Sequence, residues 1–148
     1  MKKVWFFGLI LTALFAVNIA AQADEKDAVR VPLELYLKAH ATGNGEYIRK
    51  AFHTDGNMIF IRDGKYTTRT FAEFIAGFTG KPAVDEDKRK RSIESIDIAG
   101  NAATGKIILD YPTVKFVDFM TLLKIDGEWK IVSKVFYAEP KKPVEPKK

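Results

Sequence analysis

Residues 114–138, VKFVDFMTLLKIDGEWKIVSKVFYA, constrain the fold more than any other part of the chain. Their alternating side chains predict two long β-strands, and Asp126-Gly127 between them suits the tight turn of a hairpin. Both faces of the first strand are mostly apolar, so each face needs something to cover it. Asp118 interrupts one apolar row, and a carboxylate in that setting must either reach water or find a partner.

The first 23 residues have the three-part layout of a secretory signal peptide. Lys2 and Lys3 precede an apolar run over 4–17, and Ala21-Gln22-Ala23 places small residues at the two positions that a signal peptidase reads. The alternative is a retained membrane helix, although the run is shorter than the roughly 18–20 residues that a span needs. We expect cleavage after Ala23, a periplasmic or secreted protein, and no stable membrane anchor after cleavage.

The chain of 148 residues is long enough for one domain, predicted over 24–138, with a disordered Pro/Lys-rich tail over 139–148. It contains no cysteine, so the exported fold has no disulfide and depends on its core alone. Of the formal net charge of +5, the two lysines of the signal peptide and the surplus of the tail each contribute +2. The domain itself is therefore near neutrality, which excludes the electrostatic footprint of a nucleic-acid-binding protein.

Residues 24–41 predict the first helix, with an apolar stripe that includes Tyr36 and His40. Pro32 either starts this helix or kinks it. Tyr36 and His40 are one turn apart and face the interior. In one interpretation they are core residues whose polar tips reach backbone or water, and in the other they line a pocket as a hydroxyl donor beside a titratable imidazole.

The other predicted elements lie between this helix and the hairpin. They are a helix over 44–51, a turn over 52–56, strands over 57–62 and 65–69, a helix over 71–78, a mobile charged loop over 81–90, and strands over 91–98 and 102–111. Thr70 and Glu73 form a capping box at the start of the third helix. His53 and Asp55 resemble a metal pair, but the chain has only two histidines. We therefore predict no metal and no cofactor, with Asp55 bonding within the turn and His53 closing over the mouth of the barrel.

The order of the elements predicts an α+β domain in which helices cover one side of a strongly bent, mostly antiparallel six-stranded sheet. The helical stripes cover only one of the two apolar faces of the hairpin over 114–138, which we call the organising hairpin. The other face would leave a larger apolar patch than monomers usually expose. We therefore predict a homodimer through the outer face of the sheet.

The segments LYLKAHATGN, KAFHTDG, FIRDGKY and LDYPTVKFVDFMTLLKIDGEWKIVSKVF together resemble the nuclear transport factor 2-like superfamily. Within it, they are most similar to the small bacterial proteins of the putative lumazine-binding family. The resemblance covers 24–138 and is most specific from Phe116 through Asp118 to the LLKIDGEW turn. Asn44 stands where the family has Asp, and Thr54 stands where it usually has Pro. The resemblance implies a cone, in which a curved sheet wraps around three helices on its concave side and opens at one end as a pocket.

Such a fold does not determine the function, and three classes remain open. The first is an exported domain that binds a small apolar or planar molecule without catalysis. The second is an acid–base isomerase or lyase resembling ketosteroid isomerase, and the third is a protein-interaction module. The predicted ligand-binding residues are Tyr36, His40, His53, Phe60, Tyr111 and Phe116.

In the enzyme hypothesis Asp118 is the base, Tyr36 the hydrogen-bond donor, and His40 an acid or a second base. This hypothesis requires Asp118 to point into the cone, and strand alternation does not say which face is concave. If Asp118 instead faces the dimer side, it is expected to be an interfacial partner of a basic residue. The candidates for that partner are Lys124, Lys134 and Arg91.

Overall fold

The computed structural model describes residues 6–141, with side chains from residue 24 onward. The side chains of the predicted signal peptide and the tail residues 142–148 lie outside the described part. The helices are α1 (Phe6–Thr42), α2 (Glu46–Ala51) and α3 (Phe71–Ile75), and the strands are β1 (Phe52–Arg62), β2 (Lys65–Thr70), β3 (Lys90–Ala99), β4 (Ala102–Asp110), β5 (Val114–Ile125) and β6 (Glu128–Pro140). Within residues 24–141, no helical stretch is both long enough and apolar enough to cross a membrane.

The six strands form one curled sheet in the order β2-β1-β6-β5-β4-β3. Every neighbouring pair is antiparallel except β1 and β6, which run parallel. The three helices pack on the inner face, where α1 contacts β3, β4 and β6 and α3 contacts β1 and β2. The predicted α+β class, the strand number and the mostly antiparallel sheet are therefore confirmed.

The inner face of the sheet holds the core against α1. The predicted stripe of α1 is buried, since Leu33 and Tyr36 have no exposed surface. Gly105 of β4 lets this helix approach the sheet closely, because a Cβ atom there would lie 2.7 Å from Cδ1 of Leu33. On β5 the buried row includes Asp118 and Met120, so the inner face of the organising hairpin is the one that carries the carboxylate.

Several predicted boundaries differ from the structure. The turn predicted over 52–56 is wrong, because β1 already begins at Phe52, which pairs with Ile131 of β6. Tertiary pairing between strands distant in sequence outweighs the local turn signal there. The capping box at Thr70 is confirmed, but α3 ends at Ile75 instead of running to residue 78. β6 continues to Pro140, two residues beyond the predicted end of the domain.

The boundaries of the first two helices also differ in detail. α1 runs through Pro32, which therefore does not start the helix, and ends at Thr42. α2 begins at Glu46, and Oδ1 of Asn44 accepts a hydrogen bond from the Glu46 N–H at 2.9 Å. The Asn44 side chain thus contributes to the start of this helix from two residues upstream.

The charged segment over 81–90 is anchored and contains a 3-10 turn, Glu86–Lys88. Glu86 accepts hydrogen bonds from both terminal nitrogens of Arg91, at 2.5 and 2.8 Å. Arg91 also donates to the backbone carbonyl of His40 near the end of α1, at 3.4 Å. The expectation of a mobile solvated loop is wrong because it did not include this bidentate ion pair, which the run of charged residues around Arg91 does not reveal.

A bulge in β6 determines which side chains of that strand face inward. Leu122 pairs with Ile131 whereas Thr121 pairs with Ser133, so Val132 has no counterpart on β5. Because successive side chains point to opposite faces, this extra residue moves Lys134 onto the inner face shared by Ile131. Gly56 of β1 lies against the bulge, where a Cβ atom would fall 2.6 Å from the carbonyl oxygen of Val132.

Candidate functional site

A cavity of about 450 Å³ opens between the inner face of the sheet and the helices. Cavities of roughly 300–1,000 Å³ suit small organic ligands. Its walls are largely apolar, and its polar lining groups fall into an inner set and an outer set. The inner polar set, which lies next to the core, is Tyr36, His40 and Lys134. The outer polar set, which is more exposed, is Arg62, Asp63 and Arg69. The apolar walls include Met58, Phe60, Phe74, Leu109, Phe116 and Phe136.

Three buried side chains from α1, β5 and β6 meet behind this cavity and form the Tyr36–Asp118–Lys134 triad. The hydroxyl of Tyr36 donates to Oδ2 of Asp118 at 2.5 Å. The Nζ of Lys134 donates to the Tyr36 oxygen at 2.9 Å and to Oδ2 of Asp118 at 3.2 Å. Asp118 and Tyr36 are fully buried and Lys134 is 4% exposed. Tyr36 and Lys134 line the cavity, whereas Asp118 lies behind them.

The direction of Asp118 decides whether it is an inward-facing carboxylate of the cone or an outward-facing interfacial partner. It faces the helices, so an outward Asp118 at a subunit interface is wrong. Of the three candidate partners, Lys134 is the one that binds it, while Lys124 binds Glu25 at 2.8 Å and Arg91 binds Glu86. The inward carboxylate is thus compensated by an inward ammonium group, as a buried charge requires.

Burial changes the acid–base properties of the triad. Loss of solvent, together with the adjacent Asp118 carboxylate, raises the pKa of Tyr36 well above its ordinary value. Loss of solvent lowers the pKa of Lys134, although Asp118 opposes this effect. A lysine ammonium has three N–H donors, and two of them are used within the triad. The third remains available to a hydrogen-bond acceptor that enters the cavity.

His40 lies beside the triad without a hydrogen bond to it. Its ring packs edge-on against Tyr36, with a centroid distance of 4.7 Å, and also contacts the rings of Phe74 and Phe78. Among the described residues, its Nε2 atom is buried and has no hydrogen-bond partner. Burial, and then the positive charge of Lys134 and Arg91, lowers the pKa of His40 to about 3. The ring is therefore neutral near pH 7, which disfavours the role of an imidazolium acid.

The other predicted ligand-binding residues divide into two groups. Phe60 and Phe116 line the cavity, whereas Tyr111 and His53 do not. Tyr111 is buried under Arg89, whose guanidinium carbon is 4.3 Å from the ring centroid, and its hydroxyl accepts from Nε of Arg91 at 3.3 Å. His53 is at the start of β1, where its Nδ1 accepts from the Asp55 N–H at 3.3 Å. Tyr111 thus packs behind the lining residue Phe116, at a centroid distance of 6.0 Å, and His53 bonds within its own strand.

The sequence named Lys134 only as a candidate partner of Asp118 and did not single out Phe136, Met58 or Phe74 as residues of the cavity. Lys134 and Phe136 face inward only because of the bulge at Val132, and strict alternation from Ile131 would have turned both outward. The adjacent apolar pair Ile131-Val132, which breaks the alternation, is a local signal of the bulge. Within the described residues, no group of three or more His, Asp or Glu side chains is placed to hold a metal ion.

The chain matches one family model and is similar to several known proteins. A family model described as "Putative lumazine-binding" matches residues 24–137. The structure of an NTF2-like protein of unknown function from Shewanella baltica OS155 is similar, with 27% identity, a TM-score of 0.73, and coverage of 80% of this chain and 97% of that one. An NTF2-like protein of unknown function from Silicibacter pomeroyi DSS-3 has 24% identity, a TM-score of 0.70, and coverage of 80% and 98%. A Cladobotryum protein named Aldolase FrzH is 27% identical over 121 residues, which are 80% of this chain and 95% of that protein.

Proposed function

The chain belongs to the putative lumazine-binding family and has the NTF2-like fold, and on this premise we propose that it is a small-molecule-binding domain. One observation carries the proposal, namely an apolar cavity with Tyr36 and Lys134 as polar groups on its inner side. Apolar walls with a few fixed polar groups are the usual composition of a ligand site. The walls contribute affinity, and the polar groups fix the orientation of the ligand.

The lining residues also suggest the chemistry of the ligand. Four phenylalanine side chains favour a flat apolar body, and the spare N–H of Lys134 favours an acceptor oxygen such as a carbonyl. Toward the opening, Arg62 is exposed and Arg69 is half-buried, and neither forms an ion pair within residues 24–141. A carboxylate on the outer end of the ligand would complement these two cations.

Binding is tested by thermal shift with a panel of flat aromatic carbonyl compounds, with and without a carboxylate. A ligand selective for the folded state stabilises it by about 2.7 kcal/mol at 100 times its Kd, so a true ligand is expected to raise Tm measurably. In the variant Ala138→Trp, an indole placed at an exposed position of the lining narrows the opening and is expected to abolish the shift.

Ala99→Trp is the matched control, because Ala99 is equally exposed on a strand but does not line the cavity. It is expected to keep the full shift. Absence of any shift across the panel, or an equal shift in Ala138→Trp, would contradict binding at this cavity.

A second candidate function is acid–base chemistry on a carbonyl compound. It is favoured by the donor chain from Lys134 through Tyr36 to Asp118 and by the similarity to the protein named Aldolase FrzH. Asp118 would act here through Tyr36 and Lys134, because it does not itself line the cavity. Proton NMR of each compound that raises Tm separates the two functions, since catalysis converts the compound, even where isomerisation leaves its mass unchanged, and binding alone leaves it intact.

We also propose that two copies associate through the outer face of the sheet. This face carries the exposed apolar side chains of Phe119 (53%), Val135 (47%) and Tyr137 (62%), and Phe119 pairs directly with Val135 across β5 and β6. A face of this kind is self-complementary about a twofold axis.

Sedimentation velocity tests this dimer. The full-length chain is expected to sediment as a dimer, and Phe119→Glu as a monomer, because a buried unpaired carboxylate is costly at an interface. Val31→Glu, at an apolar residue 55% exposed on α1, serves as the control and is expected to remain dimeric. A monomeric wild-type protein would refute the proposal.

A further inference from the structure

Lys134 is an amine held at the wall of an apolar cavity. Its side chain is 5% exposed, and the centroids of the Phe136 and Phe74 rings lie 4.5 and 5.3 Å from Nζ. Lysines desolvated in hydrophobic pockets can act as nucleophiles toward carbonyl groups. We propose that Lys134 forms a covalent imine with an aldehyde or ketone bound in the cavity, an inference that rests on the small-molecule-binding function proposed above.

The triad supplies a route for the proton that Lys134 must lose before it reacts. Nζ donates to the Tyr36 oxygen at 2.9 Å, and the Tyr36 hydroxyl in turn donates to Oδ2 of Asp118. A proton can therefore pass from Lys134 through Tyr36 to Asp118, or directly to the carboxylate at 3.2 Å. The products are a neutral amine and a protonated acid.

The reaction balances without an oxidant, a reductant or a cofactor. The lone pair of Nζ forms a bond to the carbonyl carbon, and the π electrons of the C=O bond move to oxygen. The two protons of the neutral amine then pass from nitrogen to that oxygen. The C–O bond breaks with departure of water, and the nitrogen lone pair closes the C=N bond. Tyr36, in hydrogen-bond contact with Nζ, is placed to carry these protons from nitrogen to oxygen.

The surroundings of Lys134 distinguish it from the surface lysines of the chain. Lys106 is a representative of that class, since its Nζ binds Glu94 at 2.9 Å and its side chain is 38% exposed. Its ammonium group is solvated and paired, and the side chain does not line the cavity. Lys106 is therefore the matched control for reactivity.

The experiment traps the imine on the full-length chain. The protein is mixed near pH 7 with one equivalent of 2-naphthaldehyde and then reduced with borohydride, which converts an imine to a stable secondary amine. Peptide mapping by mass spectrometry is expected to place the adduct on Lys134, about tenfold above Lys106, because the cavity holds the aldehyde beside Nζ of Lys134 and Lys106 does not line it. Lys134→Arg is expected to lose this adduct, and Lys106→Arg to keep it.

Thermal shift with 2-naphthaldehyde and with 2-naphthalenemethanol, which cannot form an imine, separates this inference from the proposed function. A shift with both compounds but no adduct on Lys134 would overturn the imine and leave binding intact. No shift with either compound and no adduct on Lys134 would overturn both. Adducts confined to surface lysines also count against the inference. Peptide mapping of the wild-type chain shows directly which lysine carries the adduct, so the test does not depend on whether Lys134→Arg folds.

Discussion

Replacing Asp118 by Ala is expected to lower the free energy of unfolding by about 3–5 kcal/mol, the usual cost of removing one partner from a buried ion pair. The carboxylate is fully buried and accepts hydrogen bonds from both Tyr36 and Lys134. Its removal leaves an ammonium group without its counter-charge and a hydroxyl without its acceptor. Urea unfolding followed by circular dichroism measures the loss as a lower midpoint.

Two further variants separate the ion pair from simple loss of packing. The double variant Asp118→Leu with Lys134→Met replaces both charges by apolar groups and is expected to recover most of the stability. Asp97→Ala, at an exposed position of β3, controls for removal of a carboxylate from the sheet and is expected to change stability by at most about 0.5 kcal/mol. If Asp118→Ala costs no more than Asp97→Ala, the buried pair does not stabilise the fold as we infer.

Acidification is expected to destabilise the protein through His40. The pKa of His40 is about 3 in the folded protein and near 6.5 in the unfolded chain, so between these values only the unfolded chain takes up the proton. The stability that His40 contributes is therefore complete above pH 6.5 and is lost progressively as the pH falls toward 3. The slope approaches about 1.4 kcal/mol per pH unit for one proton. Urea unfolding at a series of pH values measures it.

His40→Leu is expected to flatten this dependence, because leucine fills the space between Tyr36 and Phe74 with a group that cannot be protonated. The pH dependence of stability in the two proteins is best compared between pH 6.5 and 5. Carboxylates such as Glu73, whose pKa is lowered by its capping hydrogen bonds, begin to contribute only below this range. His53→Gln, at a half-exposed residue outside the cavity lining, is the control and should retain the steep slope. Equal slopes in His40→Leu and the wild-type protein would contradict the assignment to His40.

Many elements of the fold could be predicted because their signals are local. The capping box at Thr70 forms as predicted, since its partners are three residues apart. The hairpin turn at Asp126-Gly127 likewise depends on two adjacent residues that adopt positive φ, 51° and 85°. The stripe that turns Tyr36 inward follows from the period of one helix. The start of β1 was missed because its first residue extends along a strand about 80 positions away in the chain.

The candidate site could likewise be predicted only in part from the sequence. The sequence identified Tyr36, His40, Phe60 and Phe116, which all line the cavity, and it identified Asp118 as a carboxylate that needs a partner. It did not determine that the partner is Lys134. A single unpaired residue in β6 reverses the direction of every side chain that follows, and this bulge is accommodated by Gly56 of another strand.

The amino-acid sequence by itself determined the order of the elements and the apolar faces, because periodicity and turn chemistry act between near neighbours, and the resemblance of its segments indicated the family. Only the tertiary structure decided that Tyr36 meets Asp118, 82 positions away, and that Lys134 completes the triad beside an apolar cavity. The physical reason is strand register. Register depends on how distant strands pair, and a shift of one residue exchanges the inner and outer faces of a strand.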